Sequence, residues 1–568
     1  MVTTSGVRTT DDAPVRDRPQ WRPQVPWLVA LVVRLAAVFA VLDILQPVGR
    51  PQLASRALNG VVNGSIFAAA VFAAGAMLVL AQGLQHRKRQ AWVLAVGAVG
   101  LGALTHVPVQ RWSVVAVNVA VLALLFVARR DFTAVSERTG RVAALRVFTV
   151  MFGVSLVAGL FLTSRTAPHS PVGTRLVEVL AGLVGFSPDL EFRAPNASAL
   201  TEIALNTLGG LTALLTLLRL LAPARKPATL SAPAEEQLRA LLGRFGSRDS
   251  LGYFALRGDK TAIFSPSGKA AVVYRVVGGV TLAAGDPIGD PEAWPAAIQA
   301  WLDEADEYAW LPGVVGASEA GAIAYHRAGL DSLELGDEAV LHLGEFSLEG
   351  RSMRVVRQAV NRVRRAGYTL DVRRQRDLDP ADLAEAQATA EALRGEDVER
   401  GFSMALGRLG DPADPELVVA RARDGEGRLI AVLTFVPWGA DGLSLDLMRR
   451  AHDSENGTVE FVVVGVAEQS CALGVRRISL NFAVFRSVFE RGARVGAGPV
   501  LRLWHRLLLL ASRWWQIESL YRANAKYQPE WLPRFVCFRR AGELPRVALA
   551  ALEAEALVQF PRLRWLAR

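Results

Sequence analysis

Apolar runs long enough to cross a bilayer recur through the first 220 or so positions, and no other feature restricts the fold of this chain as strongly. A transmembrane helix needs about 17–25 predominantly apolar residues. Six stretches approach that length: Trp27 to Leu45, Ile66 to Leu84, Ala91 to Val107, Trp112 to Ala128, Ala143 to Leu162 and Ala204 to Leu221. The apolar stretch Val172 to Phe186 carries Arg175 and Glu178 one turn apart, which suits a surface or re-entrant helix better than a further span. Cations collect in three loops: His86 to Arg89, Arg129 to Arg141, and Arg225 with Lys226. Such loops face the cytoplasm, so six spans predict that both termini and everything after the last span lie on that side. The basic, proline-rich segment over 1–26 lacks the charge, short apolar run and cleavage site of a signal peptide. Arg34, Asp43, Glu202 and Asn206, in or near the spans, are read as packed polar contacts.

A proline- and alanine-rich linker over 222–233 follows the membrane bundle of 27–221, and the composition then shifts to mixed charge. Roughly 330 residues of α/β character exceed what one core usually holds, so two subdomains are expected, over 234–345 and 346–557, with a tail over 558–568. In the first, Thr261 to Phe264, Ala270 to Val277 and Val280 to Ala284 read as a strand meander turning at Gly278-Gly279. Gly285-Asp286-Pro287 makes a corner that is either turn chemistry or a ligand loop, and the helix after it presents Trp294, Ile298, Trp301 and Leu302 on one face. In the second, Met353, Val356, Val360 and Val363 recur at helical spacing. Leu429 to Pro437, Leu443 to Met448 and Arg477 to Phe482 read as strands, with a helix over Thr458 to Leu473 between the last two. That succession is compatible with an acyltransferase-type mixed sheet, although the usual acetyl-CoA pyrophosphate loop has no match at the start of the helix.

Chemistry narrows next. The two cysteines, Cys471 and Cys537, are far apart and the seven histidines show no ligand spacing, so neither a disulfide framework nor a metal site is expected. The net charge of +10 is carried almost entirely by Arg; only five residues are Lys, which makes Lys526 in a polar motif a departure from the local default. The helix over 351–365 leaves Arg354, Arg357, Arg362, Arg364 and Arg365 off its core face, a stripe that is either solvated or suited to RNA phosphates or anionic lipid head groups.

Polar and aromatic residues concentrate in three patches, Ser444 to Arg450, Ser479 to Phe485 and Glu518 to Arg534, the last containing Asn524-Ala525-Lys526-Tyr527-Gln528-Pro529-Glu530-Trp531. Together with Gly285-Asp286-Pro287 they resemble the catalytic domain of the phosphatidylglycerol lysyltransferase family, the multiple peptide resistance factors. The resemblance implies two tandem acetyltransferase-like (GNAT-like) folds that move an aminoacyl group from aminoacyl-tRNA to the glycerol hydroxyl of phosphatidylglycerol. It implies a bacterial plasma-membrane protein whose product, if cationic, supports resistance to cationic antimicrobial peptides. Ester exchange needs a hydroxyl deprotonated and an oxyanion stabilised, with no cofactor. Lys526 is expected to neutralise the oxyanion or a tRNA phosphate, and Asp446 to act as base or hold an ammonium. Ser479 and Asn481, two apart on a strand and hence on one face, are expected to orient substrate, with Glu518, Asn524, Arg534 and Asp286 as further substrate-binding candidates. The chain has fewer spans than family members with a flippase unit and ends soon after the catalytic region, so it is expected to borrow its charged tRNA. Homo-oligomers, another acceptor, or a membrane transport or lipid-binding protein with a regulatory soluble domain remain open at this point.

Overall fold

The computed structural model describes residues 28–35, 62–85, 87–106, 112–132, 138–184, 195–222, 229–395, 401–484 and 523–558. Two compact units, Met1–Ala224 and Arg225–Asp306 with Trp310–Arg562, are taken separately. The first is helical: α1 Val62–Gln85, α2 Arg89–His106, α3 Trp112–Val127, α4 Arg138–Thr166, α5 Val172–Val184 and α6 Pro195–Leu220. Two stretches, Gly140–Thr166 and Leu200–Leu220, are long and apolar enough to cross a membrane, with mean hydropathies of 2.1 and 1.5. They coincide with the last two expected spans. Val71–Gln85 and Arg89–Leu101 are shorter apolar helices, and most of the first expected span, Asp43 included, lies outside the described residues.

Small and hydroxylated residues let α4, α5 and α6 approach closely. Ser155 and Thr212 hydrogen-bond across α4 and α6 at 3.1 Å, and a Cβ on Gly209 would lie 1.9 Å from the Leu183 carbonyl oxygen. Meanwhile Leu145, Val157 and Phe161 of α4 are exposed. Arg175 donates to the Pro168 carbonyl at 2.6 Å, tying α5 to the turn that precedes it, and Glu178 is buried. Arg34 donates to Gln85 at 2.5 Å, a packed polar contact of the expected kind.

The second unit is built on one mixed sheet. Its strands are β1 Thr261–Phe264, β2 Ala270–Val277, β3 Val280–Ala284, β4 Ile288–Gly289, β5 Leu311–Ala317, β6 Asp331–His342, β7 Thr369–Arg374, β8 Val418–Arg423, β9 Leu429–Trp438, β10 Gly442–Arg450, β11 Arg477–Val484 and β12 Glu530–Phe538. Its helices are α7 Ala232–Phe245, α8 Trp294–Glu307, α9 Glu319–Arg327, α10 Arg354–Arg365, α11 Pro380–Arg394, α12 Thr458–Glu468, α13 Ser470–Leu473 and α14 Leu544–Ala554. The strand order is β1-β2-β3-β5-β12-β6-β11-β10-β9-β8-β7, with β4 on β2. β3 and β5 are parallel across α8, and β10 and β11 are parallel across α12 and α13, while β6 and β12 pair antiparallel with their neighbours. The late strand β12 therefore enters the sheet beside β5, and the earlier β6 lies beside β11. A parallel pair demands a crossover, which is why each of these connections contains a helix.

Alternation along the strands fills both faces. Val418 and Ala420 of β8 join one core with Val356, Val360 and Val363 of α10 and Val462 and Val466 of α12. Val419 of β8 and Val432 of β9 join the other with Leu238 of α7, Ala386 of α11 and Val547 of α14. Continuous apolar runs such as Leu429 to Leu433 follow from burial on both faces. The expected helix over Thr458 to Leu473 turns at Gln469 and restarts as α13, which ends at Gly474 with φ +70°.

Candidate functional site

A cavity of about 290 Å³ opens where the parallel pair β10–β11 meets the start of α12. Its walls come from Leu445, Met448 and Arg450 of β10, Asn456 to Glu460 at the helix start, Leu480 of β11, and Asn524, Lys526 and Tyr527 of the turn leading into β12. Gly457, with φ +107°, turns the chain into α12, and a Cβ there would press on the Ala359 backbone at 3.1 Å. Lys526 Nζ lies 2.6 Å from Glu460 Oε1 and 5.2 Å from the centre of the Tyr527 ring. The Tyr527 hydroxyl is buried without a hydrogen-bond partner, and burial together with the Glu460 charge holds it well above the usual phenol range. Arg450 donates to Ser454 Oγ at 3.1 Å. Asn524 is buried and its amide donates to the Leu480 carbonyl at 3.3 Å, fixing the turn against β11.

A different group of candidates meets in the middle of the sheet. Arg534 of β12, 3% exposed, donates to Glu338 Oε2 at 3.0 Å, to Ser250 Oγ at 2.8 Å and to the Gly316 carbonyl at 3.2 Å, and lies 2.8 Å from Asp249 Oδ1. Ser479 and Ser250 both donate to Glu338 Oε1. Asp286 accepts from the Ser318 N–H at 2.8 Å and from its hydroxyl at 2.5 Å. Burial and the neighbouring Asp249 push the Asp286 carboxyl up, against the pull of Arg534. Burial alone would weaken the charge on Arg534, but Asp249, Glu338 and Asp286 hold its pKa above the usual value. Here β5, β12, β6 and β11 lie side by side, and the charges bind those strands together.

The expected pairing of Ser479 with Asn481 on one face is not what forms. Register shifts between Ser479 and Phe482, so that Leu480 and Asn481 stand opposite Ala339 alone, and Asn481 takes φ +65°. A bulge breaks strict alternation. Ser479 turns to Glu338, whereas the Asn481 amide donates 2.6 Å to the carbonyl of Leu445, a cavity wall residue. Asp446 does not line the cavity: its carboxylate accepts from the Leu406 N–H at 2.6 Å and the Thr434 hydroxyl at 3.0 Å. It thereby ties β10 to β9 and to the loop over 401–417, which Glu555 of the C-terminal region also holds through the N–H groups of Phe402 and Ser403 at 2.6 and 3.0 Å. On α10, Arg354, Arg362, Arg364 and Arg365 are exposed; Arg364 pairs with Glu468 at 2.7 Å and Arg357 donates to the Gly350 carbonyl at 3.2 Å. Glu518 lies outside the described residues. Sequence reading missed Glu460, Tyr527 and Arg450. The first-turn position of an acidic residue was the available signal for Glu460. Among the described residues no group of three or more His, Cys, Asp or Glu is arranged to hold a metal ion.

The second unit has the fold of L-PGS solved from Bacillus licheniformis, matching 59% of this chain and 99% of that one with a TM-score of 0.50 at 22% identity. This defines the class by fold: a mixed sheet of the L-PGS type. The family model described as phosphatidylglycerol lysyltransferase, C-terminal, matches residues 239–538, and the chain belongs to that family. It is 46% identical over 492 residues to the lysylphosphatidylglycerol biosynthesis bifunctional protein LysX of Rhodococcus opacus strain B4, covering 85% of this chain and 44% of that protein. It is 41% identical over 590 residues to the LysX protein of Mycobacterium sp. strain JLS, covering 99% and 52% respectively. The chain thus spans about half the length of these relatives.

Proposed function

We propose that this chain is a membrane-bound, tRNA-dependent aminoacyltransferase that moves a lysyl group from lysyl-tRNA to the glycerol hydroxyl of phosphatidylglycerol. The observation that carries the reading is the cavity at the start of α12 with Lys526 in its wall, inside the matched stretch 239–538. The sheet is taken as two tandem acetyltransferase-like folds over 234–345 and 346–557, each with a parallel pair and a helical crossover. About six spans anchor it in the bacterial plasma membrane with the sheet domain in the cytoplasm. There, positive charge suits both a polyanionic donor and an anionic lipid. Exposed Arg354, Arg362 and Arg365 are assigned to donor phosphates, each worth a modest salt-dependent gain.

The exchange balances without a further reactant. The glycerol oxygen bonds to the ester carbon as its proton leaves, the bond from that carbon to the ribose oxygen breaks, and the ribose oxygen takes up a proton. Lys526, at the cavity wall, supplies positive charge for the tetrahedral oxyanion. Asp446 enters as a positioning residue, since it holds β10 and the Leu406 backbone rather than facing the cavity. A cationic lipid product would lower the negative surface charge and support resistance to cationic peptides. The test is mass spectrometry of lipids from a host lacking aminoacylated phosphatidylglycerol, expressing this chain or its Lys526→Ala variant. A lysyl adduct present with the first and lost with the second is expected; no adduct despite membrane expression overturns the proposal.

A further inference from the structure

Among the described residues that line the cavity one carries a carboxylate, Glu460, and that carboxylate is occupied by the ammonium of Lys526 at 2.6 Å. The occupant is chemically a lysine side chain, a primary ammonium on a four-carbon stem, and so is the side chain of the group to be transferred. Glu460 stands in the first turn of an eleven-residue helix, where unpaired peptide N–H groups favour an anion. Both partners are about four-fifths covered, at 21% and 19% exposure, so leaving the carboxylate bare in this cavity is costly. Tyr527 lines the same space, and its buried hydroxyl has no hydrogen-bond partner. At about 290 Å³ the cavity is at the small end for a ligand site and has room for an aminoacyl group.

Resting on the lysyltransferase reading, we infer that Glu460 is the specificity residue for the cationic side chain of the donor, and that the donor's ammonium displaces Lys526 from it. Ammonium replaces ammonium, so the exchange keeps the carboxylate paired throughout. Lys526, released, is free to turn its charge to the ester oxygen. A donor with a neutral side chain offers nothing to Glu460 and leaves Lys526 in place, away from the reacting atoms. Recognition of lysine and release of the catalytic ammonium are then one event, and discrimination between donors falls on kcat as well as KM.

The test uses the full chain in lipid nanodiscs containing phosphatidylglycerol. Transfer is measured from one tRNA charged with lysine or with norleucine, whose side chain lacks the ammonium, and binding is measured with lysinamide and norleucinamide. The unaltered chain is expected to favour lysyl over norleucyl by about a hundredfold or more, and Glu460→Gln, nearly isosteric, to reduce that ratio to within about tenfold. In Lys526→Met, transfer is lost but lysinamide binds about tenfold more tightly, because nothing has to be displaced. An ion pair that only supports the fold would give the opposite, weaker or unchanged lysinamide binding. Retention of the donor ratio by Glu460→Gln, or unchanged lysinamide affinity in Lys526→Met, overturns the inference. Absence of transfer from both donors by the unaltered chain counts instead against the lysyltransferase reading, and the lysinamide measurement still decides the role of Glu460.

Discussion

Replacing Arg534 by Met removes the only cation among the described charged groups at the centre of the sheet. Arg534→Met leaves Asp249, Asp286 and Glu338, which are 7%, 4% and 0% exposed, without their shared partner. Breaking a buried ion pair from one side costs about 3–5 kcal/mol, because the remaining charge stays out of water. Met fills similar volume, so the loss reads charge and hydrogen bonding rather than a void. The pH dependence follows from the same argument. Burial and Asp249 already push the Asp286 carboxyl up while Arg534 opposes them, so without Arg534 it rises further, and the penalty is present at pH 8 and fades as the pH falls toward the ordinary carboxylate range near 4. Urea unfolding of the full chain in detergent, followed by Trp fluorescence, is expected to show a loss of about 3–5 kcal/mol at pH 8 and at least about 1 kcal/mol less at pH 5. A loss below about 1 kcal/mol, or one identical at both pH values, would refute the account of the cluster as a charge-balanced clamp on β5, β12, β6 and β11.

Asp446→Asn keeps an acceptor for the Leu406 N–H and a partner for the Thr434 hydroxyl, so a positioning role predicts transfer within about tenfold of normal, whereas a general base would lose about a hundredfold or more; initial rates of lipid aminoacylation decide. Lys260 is fully buried, donates to the Phe254 carbonyl at 2.8 Å and is pushed down to about 7 by burial first and Arg257 second. A lowered folded-state pKa means the side chain carries a penalty that is absent above the unfolded value near 10.5, grows as the pH falls and is complete below about 7. Lys260→Met is therefore expected to gain stability, by on the order of 3 kcal/mol at pH 7 and progressively less toward pH 10.5, in parallel urea titrations. A Cβ on Gly321 would sit 1.9 Å from Asp286 Oδ1, so Gly321→Ala should cost about 1–3 kcal/mol and lower the melting temperature.

Short-range pattern determined a good part of this protein. Apolar run length marked Gly140–Thr166 and Leu200–Leu220, short apolar runs between turn residues marked β1, β2 and β3 to the residue, and helical spacing marked the buried face of Met353, Val356, Val360 and Val363. Each of these is a local property, fixed by how side chains repeat along one element. The motif around Lys526 was also legible, because a Lys in an Arg-rich chain and a dense polar segment stand out on composition alone. What the sequence could not settle was which polar residues face a cavity and which face one another. Asp286, Ser479 and Arg534 looked like Lys526 and Asn524 on the page, yet the first three are drawn into a buried network and the other two line the cavity. The contacts that separate them join positions 196 and 284 residues apart, and they exist only because β12 enters between β5 and β6. A buried charge takes whichever partner the sheet order brings beside it, and that order is set by long-range pairing, of which no local period carries a trace.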